Sequence, residues 1–248
     1  MGLAYNLFLS ALKNVSALLR EPLTYYYDGL YSIHNADFMA EPAFKRAYEL
    51  AKQTNHGHGP NLHIEWRTYV CCWAAKQATK LDGDFVECGV NAGMFSRAVA
   101  DYVSFESQPR TFYLLDTFQG MPEDQFVPEE NARKLSSRYV YGEMYESVRE
   151  SFKAYDNVKL IRGRVPDSLT SVPSSKVAYL SIDMNAMMPE IAAAEYFWHK
   201  LVPGATIVLD DYGWREHVVQ KKAFDAFAAS HGTHILSLPT GQGLIVKA

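Results

Sequence analysis

From Asp84 to the end of the chain, short apolar runs alternate with longer stretches of helical periodicity. The runs occupy residues 85–88, 111–115, 158–161, 177–182, 206–209, 235–238 and 244–246. Between them, residues 94–105, 143–155, 189–201 and 216–231 are long enough to cross from one strand to a parallel neighbour. Uninterrupted apolar strands alternating with helices predict an α/β fold, a doubly wound, mostly parallel sheet covered on both faces. Only Pro-Thr-Gly-Gln-Gly at 239–243 joins the last two of the seven runs. That is too short for a crossover, so the final strand must be reversed.

Residues 1 to about 80 read differently, as helices with polar joints. Leu7, Leu9, Leu12, Val15, Leu18 and Leu19 share one side of an expected amphipathic helix, which would dock on the body or on a second copy of the chain rather than on a membrane. Lys13 and Arg20 fall within and after this apolar stretch, unlike the basic start of a secretory leader, and Asn6 stands where a myristoylation pattern has Ser or Thr. A Gly/Pro loop follows at 55–61, then a helix at 63–80. The expected organisation is a helical cover over residues 1–62 and one α/β domain over residues 63–248.

Composition narrows the function classes. With 48% hydrophobic residues the chain can bury a sizeable core, and a net charge of −4 leaves no basic footprint for nucleic acid. Three cysteines, of which Cys71 and Cys72 are adjacent, make no disulfide framework. No apolar run approaches the roughly 18 residues of a membrane span. A cytoplasmic protein whose partner is a small molecule or glycan rather than nucleic acid is expected.

In doubly wound sheets, ligands bind beyond the C-terminal ends of the strands. Here those ends carry Glu87 and Gly89, Asp116, Gly163, Asp183, and Asp210 with Asp211. The first forms the loop Glu-Cys-Gly-Val-Asn-Ala-Gly, where Gly89 and Gly93 permit a tight turn and close approach of the backbone to a ligand. A dinucleotide loop would place its middle glycine where this chain has Asn91, and the acidic Glu87 disfavours a pyrophosphate while welcoming a cationic amino group. Asp116, ending the second run, is placed to accept the hydroxyls of a ribose. A nucleoside with a positively charged, zwitterionic tail fits this set, and S-adenosylmethionine is such a molecule.

If the fourth and fifth strands are neighbours, Asp183, Asp210 and Asp211 converge. Three carboxylates that close need positive charge, and Arg215 is the nearest basic residue in sequence. An oxygen-only set suits a hard cation such as Mg²⁺, which would acidify a bound hydroxyl beside the sulfonium methyl. The competing use of these residues is helix capping, Asp183 for the helix near Pro189 and Asp210 or Asp211 for the one near residue 216.

The ordered set Glu-Cys-Gly-Val-Asn-Ala-Gly at 87–93, Leu-Leu-Asp-Thr-Phe-Gln-Gly at 114–120, Ile-Arg-Gly at 161–163, Ile-Asp at 182–183 and Leu-Val-Pro-Gly-Ala-Thr-Ile-Val-Leu-Asp-Asp-Tyr at 201–212 resembles the TylF/MycF family of macrocin and mycinamicin sugar O-methyltransferases. The resemblance spans about residues 63–248. It implies a class I, S-adenosylmethionine- and Mg²⁺-dependent enzyme acting on a sugar hydroxyl of a polysaccharide precursor or glycosylated natural product. By resemblance Glu87, Gly89, Gly93 and Asp116 bind the cofactor, with Asn91 in the same loop and Thr117, Phe118, Gly163 and Arg164 near it. Asp183, Asp210 and Asp211 hold the metal, and Asp183 helps to remove the sugar proton. One departure concerns that proton: the family often has Asp-x-Asp where this chain has Asp183-Met184-Asn185, and an amide is no base. His217 is a substitute, with Asp183 or Asp211 as others, although the position of His217 reads as the surface of a helix. A catechol-type O-methyltransferase and a non-catalytic nucleoside-binding module are the alternatives. A nicotinamide oxidoreductase is disfavoured by Asn91 and by the lack of a Tyr-x-x-x-Lys pair after the fourth strand. Tyr25, Tyr26, Tyr27, Tyr31 and Trp66 could stack on a sugar or simply pack, His56 and His58 read as a mobile polar loop, and residues 119–141 form a long excursion suited to covering a substrate.

Overall fold

The computed structural model describes Asn14 and residues 22–54, 62–133 and 141–248. The expected amphipathic helix of residues 1–20 (Asn14 apart), with its proposed role in self-association, and the His56/His58 loop lie outside the described residues. Seven strands form the main sheet: β3 (Asp84–Cys88), β4 (Phe112–Asp116), β5 (Val158–Arg162), β6 (Val177–Ile182), β7 (Leu201–Leu209), β8 (Leu236–Ser237) and β9 (Gly243–Val246). Their order is β5-β4-β3-β6-β7-β9-β8, with β9 antiparallel to its neighbours. The winding therefore reverses between β3 and β6, and the expected doubly wound sheet with one reversed strand is what forms.

Successive residues of each strand enter opposite cores. Phe85, Leu114, Tyr179 and Val208 pack with Phe44, Cys72, Ala98 and Val99 from the helices α1 (Pro42–Lys52), α2 (Glu65–Ala78) and α3 (Met94–Tyr102). Val86, Leu115, Leu180 and Ile207 pack on the other face with Ala194, Phe197 and Phe224. The partners there include α6 (Met187–Trp198) and α7 (Val218–Ser230), which follow the short helices α4 (Pro128–Ala132) and α5 (Tyr145–Ser151). With both faces covered, β6 is buried along its whole length, which is why its sequence shows no polar alternation.

The N-terminal region departs from the all-helical expectation. Tyr25–Tyr27 (β1) and Leu30–Ser32 (β2) pair as an antiparallel hairpin. Among the described residues, no helix is long and apolar enough to cross a membrane.

Candidate active site

Parallel register brings the chemistry to one rim. Cys88 lies opposite Ile182 and Ile182 opposite Leu209, so the next residues in each strand, Gly89, Asp183 and Asp210, emerge side by side. Asp183 N–H donates to Cys88 O at 2.9 Å and Asp210 N–H to Ile182 O at 3.0 Å. Gly89 has φ +90, and a Cβ on it would stand 1.9 Å from the carbonyl oxygen of Asp183. No other residue fits where these two loops touch.

Two cavities meet at this rim. The larger, about 370 Å³, is lined by Glu87, Gly89, Asn91, Asp183, Asn185, Asp210, Asp211 and His217, with an apolar wall that includes Met94, Phe95 and Trp214. The smaller, about 60 Å³, is lined by Gly89, Asn91, Asp116, Thr117, Tyr141, Gly163, Asp183 and Asn185 among others. Of the residues expected near a cofactor, Gly93, Phe118 and Arg164 line neither. Gly93 caps the start of α3, the Phe118 ring is buried in the core, and the exposed Arg164 pairs with Asp124 at 2.8 Å.

Glu87 is 1% exposed, and its Oε2 has no hydrogen-bond partner among the described residues. Burial pushes its carboxyl up to about 8; the Ser96 hydroxyl opposes this and the charges of Asp210 and Asp116 add to it. A lone buried carboxyl oxygen facing a cavity suits a cationic ligand group. Asp116 is the opposite case. Its Oδ2 accepts the N–H groups of Val90 (2.6 Å) and Asn91 (2.8 Å), and its Oδ1 that of Phe118 (2.6 Å) and the Tyr141 hydroxyl (3.3 Å). Besides lining the small cavity, it clamps the loop that follows β3.

Asp183, Asp210 and Asp211 each offer a carboxylate oxygen within 4.8 Å of the others. Among the described residues none of them caps a helix: α6, α7 and the helical turn Arg215–His217 all begin without a side-chain cap. Burial raises the Asp183 carboxyl well above the usual carboxylate range, with Asp210 and Asp211 adding and Arg67 opposing. Burial likewise raises Asp211, to about 6, against the pull of His217. Asp211 Oδ2 is buried without a hydrogen-bond partner among the described residues. The basic residue at the cluster is Arg67 from α2 rather than Arg215: its Nη1 lies 2.5 Å from Asp210 Oδ2. Burial works against the charge of Arg67, but Asp210 and Asp28 outweigh it and raise its pKa.

His217 is not on the helix surface. It is 4% exposed, its Nδ1 lies 2.6 Å from Gln220 Oε1, and Asp211 Oδ2 is 4.0 Å away. Gln220 Nε2 in turn reaches Glu190 Oε1 at 3.4 Å, and Glu190 also accepts the Met184 N–H at 3.1 Å. Asn185, at φ +57, leans its amide on Asp183 Oδ1 at 3.3 Å. The described part of the excursion after β4 straps the rim: Glu130 accepts the Met187 N–H at 2.8 Å, and Arg133 donates to Arg215 O at 2.9 Å. The aromatic residues singled out earlier line neither cavity. Tyr25 is buried, Trp66 meets Phe38 edge-on at 4.5 Å, and Tyr27 stacks on His63 at 3.9 Å. The aromatic residues on the wall of the larger cavity are Phe95 and Trp214.

Over 151 residues the chain is 29% identical to the 8-demethyl-8-(2,3-dimethoxy-alpha-L-rhamnosyl)-tetracenomycin-C 4'-O-methyltransferase of Streptomyces olivaceus, covering 57% of each chain. Over 142 residues it is 25% identical to the mycinamicin III 3''-O-methyltransferase of Micromonospora griseorubida, covering 52% of this chain and 55% of that one. The chain thus aligns with little more than half the length of either relative. The solved structure of the O-methyltransferase NovP superposes with a TM-score of 0.67 at 20% identity, covering 86% of this chain and 97% of that one, so the two share a fold. The family model for macrocin O-methyltransferase (TylF) matches residues 69–235, and the chain belongs to that family.

Proposed function

We propose that the protein transfers the methyl group of S-adenosylmethionine to a hydroxyl of a sugar-bearing small molecule, assisted by a divalent cation such as Mg²⁺. One observation carries the reading: a single cavity is lined by Glu87, whose Oε2 has no hydrogen-bond partner among the described residues, and by three convergent carboxylates. Glu87 would face the ammonium group of the methyl donor, and Gly89 would let the backbone come close to it. The small cavity beside Asp116 would take the nucleoside, with Asp116 holding the loop beneath it. Asp183, Asp210 and Asp211 form the oxygen-only donor set that a hard cation requires.

When bound, the donor supplies an electrophilic methyl carbon and the cation makes an acceptor hydroxyl more acidic. The O–C bond forms as the C–S bond breaks, and we assign the released proton to the Asp183 carboxylate. His217 is the lesser candidate, because its Nδ1 is engaged by Gln220 and its ring packs beside Asp211. It orients Asp211 instead. The apolar wall of Met94, Phe95 and Trp214 suits an acceptor with an apolar face, as a pyranose ring has.

The test is turnover of glycosylated acceptors with S-adenosylmethionine and Mg²⁺, read as products heavier by one methyl group. EDTA should abolish transfer while calorimetric cofactor affinity persists. No binding of S-adenosylmethionine would overturn the reading. Methylation of catechols but not glycosides would move the acceptor class, and binding without transfer to any acceptor would make the chain a nucleoside-binding module.

A further inference from the structure

The N-terminal hairpin reaches the acidic cluster through one side chain. Its two-residue turn, Asp28-Gly29, has φ +53 and +73, the left-handed geometry that lets so short a loop follow the twist of two paired strands. The turn sets Asp28 against α2. Arg67 Nε lies 2.7 Å from Asp28 Oδ2 and Nη2 lies 3.2 Å from Oδ1, while Nη1 is committed to Asp210. The Phe95 and Trp214 rings flank the guanidinium at 5.7 and 5.6 Å. A planar fork with a carboxylate on each side and rings beside it has one pose. Gln242 Nε2 donates to the other oxygen of Asp210 at 2.9 Å. Each carboxylate oxygen has a second lone pair, so Asp210 keeps acceptor capacity toward the cavity.

We propose that Asp28 and Arg67 are positioning residues for the cation site: the hairpin fixes Arg67, Arg67 fixes Asp210, and the hairpin thereby sets divalent-cation affinity. This rests on the cation reading above. Arg67 lines the same cavity as the three carboxylates, and residues that hydrogen-bond to a ligating carboxylate and orient it change metal affinity by about 10–100-fold. Asp28 acts in a second way, because it neutralises a guanidinium that would otherwise repel the incoming ion. Its removal loosens the pose of Arg67 and turns the whole charge on Asp210, and both changes weaken cation binding.

The experiment is titration of the full chain with Mn²⁺, following free Mn²⁺ by electron paramagnetic resonance, with affinity for S-adenosylhomocysteine measured separately by calorimetry. Asp28→Asn keeps the shape of the turn, since Asn tolerates positive φ. It should raise the Mn²⁺ Kd about tenfold and leave the nucleoside affinity unchanged. Arg67→Lys keeps the charge but loses the fork, and should weaken Mn²⁺ binding similarly. It also carries the test if Asp28→Asn does not fold, as judged by circular dichroism. The double variant should bind no more weakly than either single one, because both break the same chain of contacts. Additive losses, or an unchanged Mn²⁺ Kd in the folded single variants, would overturn the positioning role alone. A parent chain that binds no Mn²⁺ would overturn the cation reading and this inference together.

Discussion

The two acidic ends of the rim are built on opposite terms. At the β4 end, Asp116 has three main-chain N–H groups on its two oxygens, so the carboxylate is consumed in holding the loop after β3. At the β3 and β7 ends, Glu87 Oε2 and Asp211 Oδ2 are buried with no hydrogen-bond partner among the described residues, the His217 ring standing 4.0 Å from Asp211. A buried carboxylate oxygen without a partner costs free energy that folding would remove unless a ligand repays it. The saturated acid is therefore scaffold as much as site, whereas the unsaturated ones await something positive. Acidic residues at strand ends look alike in sequence, and only their hydrogen-bond partners tell the two kinds apart.

Gly89→Ala should have the largest effect, because it breaks both ends at once. The added methyl would meet the Asp183 carbonyl carbon and oxygen at 2.4 and 1.9 Å, and alanine does not settle at φ +90. Backbone rather than a flexible side chain must move, at a cost of at least about 3 kcal/mol. The melting temperature should fall by roughly 10 °C, and the nucleoside and Mn²⁺ affinities should fall together. A variant that loses one affinity and keeps the other would show that the ends are not coupled through this contact.

Glu87→Gln sharpens the comparison from the unsaturated end. In the free protein the carboxyl titrates near 8 rather than at its ordinary 4.5, so at pH 7 it is mostly protonated. An ammonium group beside it favours the charged form and lowers its pKa. Cofactor binding near pH 7 should therefore release a proton, and affinity should rise with pH until it flattens above about 8. Calorimetry in buffers of different ionisation enthalpy reads this directly. The glutamine variant should release none and should bind more weakly by about 1–3 kcal/mol. The sign for stability is the reverse of the usual carboxylate. A raised pKa means that the cofactor-free fold is favoured at or below 4.5 and loses this contribution as pH rises through about 8. Proton release that persists in Glu87→Gln would assign the titration to another group.

Much of this is legible in the sequence. The period and length of the apolar runs specify a parallel sheet, and parallel strands in register bring their end residues to one level, so Asp183 beside Asp210 followed from topology. The hairpin departs from the helical reading, although Asp28-Gly29 flanked by Tyr27 and Leu30 is a strong short-range signal for one. A run of tyrosines at helical reach of polar joints obscured it. Arg67 was invisible as a partner of Asp210 because 143 residues separate them, and a lone Arg in an apolar helix does not announce what it faces. The burial of His217 was lost for a related reason. It precedes α7 in a single tight turn, Arg215–His217, instead of riding on the outer face of that helix. The clamp formed by Asp116 depends on which way a loop turns, and no spacing encodes that.

Tyr141→Phe should have the smallest effect and tests the saturated end most finely. The hydroxyl reaches Asp116 Oδ1 at 3.3 Å, a long contact to an oxygen that already holds the Phe118 N–H at 2.6 Å. Burial and the Asp116 charge raise the phenol far above its ordinary value, so it remains a donor at any working pH. Removing one weak donor from a carboxylate that keeps three amides should cost only about 0.5 kcal/mol, or roughly a twofold rise in nucleoside Kd. If Asp116 were instead a free acceptor kept in place by Tyr141, the loss would approach that of Glu87→Gln. Calorimetry of the two variants side by side therefore ranks the ends: a small loss for Tyr141→Phe keeps Asp116 as a clamp anchored by main chain, and an equal loss would make both ends of the rim the same kind of site.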